Sequence, residues 1–104
     1  MSAEPAATFH VVIHAPLRLR ICGLLRQVSE LEFGVIRDAL KLTDANLSKN
    51  LKVLAEADVV VLRKERSPSR TDARRLTWVA LTPAGRTALE EHLASLDRIA
   101  AGEV

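Results

Sequence analysis

The sequence predicts a mainly α, α+β domain in which helices stand on both sides of one small β-hairpin. Two patterns and one limit lead there. Apolar residues recur at helical spacing in four segments. Two β-rich runs, Val59 to about Glu65 and Leu76 to Leu81, flank the breaker Ser67-Pro68-Ser69. At 104 residues the chain has room for one core, so residues 1–104 read as a single domain.

Residues 1–8 are small and polar with one proline, and are expected to form a flexible N-terminus. Phe9 to Ile13 is a short apolar patch that a partner or the core must cover. Pro16 suits the first position of a helix, where its missing N–H is no loss. From there Leu17, Ile21, Leu24, Leu25 and Val28 form one stripe. Ser29 to Glu32 makes a brief turn that could add an edge strand. The second helix is expected from an N-cap at Gly34 and buries Phe33, Ile36 and Leu40. Thr43 is a good N-cap for the third helix, with Asp44 favourable in its first turn. That helix buries Leu47, Leu51 and Leu54, spaced i, i+4, i+7. Thr82-Pro83 starts the last helix, residues 83–101, with the stripe Leu89, Leu93, Leu96 and Ile99 or Ala100.

Charge is distributed more tellingly than the net value of +2 suggests. Residues 1–33 balance to zero. Residues 63–75 carry +4, and the chain after Thr82 carries −2. The outer face of the third helix offers Asn46, Ser48, Lys49, Asn50 and Lys52, with no carboxylate between Asn46 and Leu54. A helix–turn–helix followed by a basic hairpin is a way to put one helix in a DNA groove and a positive loop over the neighbouring backbone.

With these residues in place, the chain resembles the winged-helix transcriptional regulators of the MarR-like and ArsR-like group, in particular the small single-domain winged helix DNA-binding subfamily. The resemblance covers roughly residues 12–100. It is carried by HAPLRLRICGLL, by EFGVIRDALKLTDANLSKNLKVLAEADVV and by TDARRLTWVALTPAGR. It implies a winged helix-turn-helix fold and a homodimer that binds a pseudo-palindromic operator through the third helix and the wing, usually repressing transcription. The pattern usually has glycine where this chain has Lys41 and Asp58, at two turns that call for left-handed backbone.

The candidate DNA-binding residues are therefore Thr43, Asn46, Ser48, Lys49, Lys52, Arg63, Lys64, Arg66, Arg70 and Arg74. Asn46 and Ser48 are assigned to base edges, the lysines to phosphate. Asp72 is expected to pair with Arg70 or Arg74, and Arg75 could pack its stem on the sheet. The last-helix stripe could pack on the first helix. A two-fold interface is the preferred reading, with Phe9, Val12, Ile13, Leu89, Leu93, Leu96 and Ile99 as its candidates. A small-molecule effector, if the chain takes one, has to sit at that interface or between the first and last helices.

Other classes are disfavoured. No Gly-rich phosphate loop, catalytic triad spacing or carboxylate cluster points to an enzyme, and no cofactor is expected. His10, His14 and His92 are too far apart in sequence for a local metal motif, so no metal is expected. Cys22 reads as a small buried hydrophobe rather than a redox thiol, and Trp78 as a packing residue on the hairpin. No apolar run is long enough to cross a bilayer and no leader pattern is evident, which predicts a cytoplasmic protein without a membrane partner. The rival reading is a winged-helix module for protein–protein contact, its basic hairpin meeting an acidic partner.

Overall fold

The computed structural model describes residues 6–66 and 75–103, with the backbone alone at Arg75. The elements run α1 (Val11–His14), α2 (Pro16–Arg26), β1 (Leu31–Glu32), α3 (Phe33–Leu40), α4 (Asp44–Glu56), β2 (Val60–Arg66), β3 (Arg75–Leu81) and α5 (Pro83–Ala100). The α+β architecture expected from the sequence is present, with one helix more: Val11–His14 forms a single turn before Pro16. The sheet is antiparallel in the order β1-β3-β2, so the hairpin supplies the central strand and one edge. Residues 67–74 at the hairpin tip, including Arg70, Asp72 and Arg74, lie outside the described residues.

Helix α2 starts at Pro16 and buries Ile21, Cys22 and Leu25. Val28, expected on this stripe, lies beyond the helix end and is exposed. The helix closes at Gln27: its N–H bonds back to the Leu24 carbonyl and that of Val28 to the Leu25 carbonyl, three-residue closures that end the helix before Val28 joins it. Helix α3 begins at Phe33, capped by the extended Glu32, and not at an N-cap on Gly34. The cause is tertiary. Leu31 and Glu32 pair with Val79 and Trp78 of β3, and this short ladder delivers the chain directly into the helix.

Both departures from glycine are left-handed in the structure. Lys41 has φ 55° and Asp58 has φ 60°. Each lets the next amide reach back to close its helix: Leu42 N–H to Arg37 O at 2.9 Å, and Val59 N–H to Leu54 O at 2.9 Å. A side chain in this region costs about 1 kcal/mol relative to glycine. The turns accept that cost, and only the three residues Lys41, Leu42 and Thr43 separate α3 from α4.

One core joins all the larger elements: Ile21 and Leu25 of α2, Ile36 of α3, Leu47, Leu51 and Leu54 of α4, Val79 of β3 and Leu89 of α5 are each at most 1 % exposed. Entry into α5 is fixed by a close approach. The Thr82 hydroxyl donates to Asp58 O at 2.6 Å and accepts from Gly85 N–H at 2.8 Å, while Thr82 N–H donates to Val59 O at 3.0 Å. A Cβ on Gly85 would fall on the Val59 carbonyl oxygen. Glycine is required there by space. One side of α5 stays buried as far as Ser95, with its last residues, from Asp97 on, exposed, and the molecule measures 55 × 32 × 21 Å. Among the described residues no helix is long and apolar enough to cross a membrane.

Candidate nucleic-acid interface

Helix α4 turns its apolar stripe inward, and this leaves Asn46, Ser48, Lys49 and Lys52 exposed on the outside. Thr43, also exposed, caps the helix: its hydroxyl oxygen accepts the Asn46 N–H at 3.1 Å. The acidic group of the first turn is paired: Arg37 of α3 reaches Asp44 at 2.9 Å, a guanidinium it shares with Asp38, also at 2.9 Å. From Asn46 to Lys52 the outer face presents cations and amide or hydroxyl groups.

Strand alternation sorts the hairpin cations. Val60 and Leu62 pair with Leu81 and Val79, and Lys64 with Thr77, so the even-numbered residues of β2 lie on the sheet face that packs against the helices. Val60 closes the core. Leu62 and Lys64 continue the same face beyond it, where they line a groove of about 630 Å³ with Ser48, Lys52 and Ala55 of α4 and Thr77 of β3. Phe33 and Leu51 also line this groove, as do Asp44 and Glu56. Arg66 follows Lys64 in register on that side.

Arg63 does not. It lies on the opposite sheet face, where its guanidinium meets Glu30 at 2.9 Å, pairs with Glu65 and stands 5.8 Å from the centre of the Trp78 ring. The hydrogen bond to Glu65, followed by that to Glu30, raises its pKa, and these partners hold the charge away from the groove. Of the candidate DNA contacts, the structure brings Ser48, Lys52 and Lys64 around one groove. It sets Asn46 and Lys49 on the neighbouring α4 surface and turns Arg63 away. Arg70 and Arg74 lie outside the described residues.

The expected two-fold interface also divides. Ile13 and Leu89 are each 1 % exposed within the single chain, so both belong to its own core and offer a partner nothing to cover. Phe9 and Ile99 are exposed, at 41 % and 46 %, while Val12, Leu93 and Leu96 are half-buried.

Sequence spacing gave no hint of what α1 and α5 do with the histidines. His10 N–H donates to His92 Nδ1 at 3.0 Å, and His92 Nε2 lies 3.1 Å from His14 Nδ1. Phe9 packs on both of the latter rings, 4.6 Å from His14 and 4.7 Å from His92. Since Nδ1 of His92 accepts an amide proton, its own proton sits on Nε2 and is donated to His14. His10 Nε2 faces Glu91 at 3.1 Å. Among the described residues no three His, Cys, Asp or Glu side chains are arranged to hold a metal ion.

Burial, reinforced by His14 and His10, pushes the His92 pKa below its ordinary 6.5. The unfolded chain then binds this proton more readily than the folded one. The stability contributed by neutral His92 is complete above about pH 6.5 and is lost as pH falls through and below that value. Thermal melts between about pH 7.5 and pH 5 should show a decline that is shallower in His92→Gln, which keeps an acceptor for His10 N–H without titrating. Parallel declines in the two proteins would place the titrating group elsewhere.

Cys22 is fully buried, and that burial drives its thiol up to about 11 despite the nearby Arg18. It is a packing group with little thiolate at neutral pH.

A family model described as a winged helix DNA-binding domain matches residues 17–100. A transcriptional regulator homologue from Pyrococcus horikoshii OT3 has the same fold, with a TM-score of 0.77 and 27% identity, over 88% of this chain and 87% of that one. The adhesin competence repressor of Streptococcus pyogenes superposes with a TM-score of 0.61 and 25% identity, over 86% of this chain and 62% of that larger one. An uncharacterized protein of Methanocaldococcus jannaschii is 30% identical over 82 residues, 79% of this chain and 85% of that one. Fold, groove and family model agree: the chain belongs to the winged helix DNA-binding domain family and is a DNA-binding regulator of that kind.

Proposed function

We propose that the protein is a homodimeric, sequence-specific regulator that represses transcription from a pseudo-palindromic operator. The observation that carries this reading is the shared groove: Ser48 and Lys52 of α4 face Lys64 and Thr77 of the hairpin across it. A duplex whose major groove receives α4 meets the β2 cations at the same time. Repression is supported by the likeness to the Streptococcus pyogenes repressor. Dimerisation is supported by the outer half of α5, where Leu93, Leu96 and Ile99 form a stripe beside exposed Phe9. The two α4 helices would then read half-sites whose centres are about 34 Å apart, or a multiple of that.

A shift assay on random duplex at low salt, combined with sedimentation, tests this reading. The expected result is a salt-sensitive complex containing two chains, with Ile99→Asp monomeric and weaker on DNA. Absence of any complex with random duplex would favour the protein–protein module instead. A monomer that binds with full affinity would remove the operator symmetry.

A further inference from the structure

We infer that Arg18, on α2 and off the DNA-facing surface of α4, is a positioning residue that fixes the hydrogen-bonding polarity of Asn46. The inference rests on the reading of α4 as the base-reading helix and specifies what that helix presents. Arg18 Nε donates to the Val12 carbonyl at 2.6 Å, and Arg18 Nη1 donates to Asn50 Oδ1 at 3.3 Å. Asn50 Nδ2 in turn donates to the Asn46 carbonyl and to Asn46 Oδ1, both at 2.9 Å.

Chemistry leaves this chain one direction. A guanidinium has donors only, so the atom of Asn50 facing Arg18 must be its oxygen. A backbone carbonyl accepts only, so the atom facing Asn46 O must be the Asn50 amide nitrogen. Both constraints select the same orientation of Asn50. The nearest side-chain atom of Asn46 must then be its oxygen, and its NH₂ group is left outward, with no hydrogen-bond partner among the described residues. A solitary exposed asparagine flips between donor and acceptor presentations. Here the Val12–Arg18–Asn50 relay holds the donor presentation, at the far side of α4 from the wing groove.

Donors meet acceptors on the major-groove edges of guanine (N7, O6), adenine (N7) and thymine (O4), and are repelled by the amino edge of cytosine. The base under Asn46 is therefore expected to be chosen for acceptors and against cytosine. Arg18→Met keeps much of the packing volume but releases Asn50. Asn50→Asp keeps the bond to Arg18 and removes the donor to Asn46, so that Asn46 turns its NH₂ toward residue 50 and its oxygen outward.

Selection from a randomised duplex library, followed by sequencing, tests the relay with the full chain. Asn46→Ala identifies the position that Asn46 reads. Arg18→Met should reduce discrimination at that position about tenfold with random-duplex affinity changed far less. Asn50→Asp should shift the same position toward the amino-bearing edges of cytosine or adenine. Unchanged preference in both variants, with Asn46→Ala altering it, would overturn the relay and leave α4 as the reading helix. An Asn46→Ala profile identical to wild type would overturn base reading by Asn46 itself. Melting curves separate either result from misfolding: if Arg18→Met is unstable, the surface variant Asn50→Asp decides.

Discussion

Replacing Gly85 with alanine is expected to destabilise the protein by about 3 kcal/mol, the upper range for forcing a methyl into filled space. For a domain of this size that corresponds to a melting point lower by roughly 12–24 °C. The reason is local and rigid. The new Cβ would collide with the Val59 carbonyl, which is backbone and already accepts the Thr82 N–H. Relief would need α5 to lift off the end of β2, breaking the Thr82 cap and uncovering Leu89. Gly23 supplies the control. It lies in α2 with nothing within 4 Å of its would-be Cβ, so Gly23→Ala should raise stability by about 0.5–1 kcal/mol through helix propensity. Equal melting points for the Gly85 and Gly23 variants would refute the close packing of α5 on Val59.

The second large effect concerns DNA. Neutralising Lys52 and Lys64 together should make the slope of log affinity against log salt shallower by about 1.8 per protomer, or about sixtyfold in affinity near 0.1 M salt. Both side chains are exposed and line the groove, so the loss falls on phosphate contacts and not on the fold. Arg63→Gln is the contrasting variant. Its guanidinium is engaged by Glu30 and Glu65 on the other sheet face, and the slope should be nearly unchanged. If Arg63→Gln flattens the slope as much as the double variant does, the face assignment of the hairpin is wrong.

Much of this architecture is legible in the sequence because local rules and tertiary packing agree. Thr43 and Thr82 cap the helices they precede, Pro16 and Pro83 sit at first positions, and Leu47, Leu51 and Leu54 form the buried stripe. The misplaced start of α3 is of another kind. Gly34 satisfies a capping preference, but strand pairing of Leu31 and Glu32 overrides it. Arg63 shows strand periodicity separating residues that composition groups together. Composition alone groups it with Lys64 and Arg66, whereas the period of two along VVLRKER already separates Arg63 from its neighbours.

Other features could not be read from spacing at all. His92 meets His10 across 82 positions and His14 across 78, and Arg18 meets Asn50 across 32. Such pairs follow from how the helices pack, and no local pattern encodes them. Ile13 and Leu89 fall in the same class. Each is an apolar residue that either a partner or the chain itself could cover, and the choice depends on where α1 and α5 come to lie.

Site-directed DNA cleavage tests the central claim, that α4 and the groove side of the hairpin form a single surface for one duplex. The buried, weakly acidic Cys22 leaves an introduced exposed thiol as the preferred point of attachment. An iron chelate carried on Ser48→Cys and, separately, on Arg66→Cys should cut the same duplex in adjacent grooves of one half-site, with Arg63→Cys cutting much less. Cutting from position 48 without any from position 66, in complexes of undiminished affinity, would contradict the account.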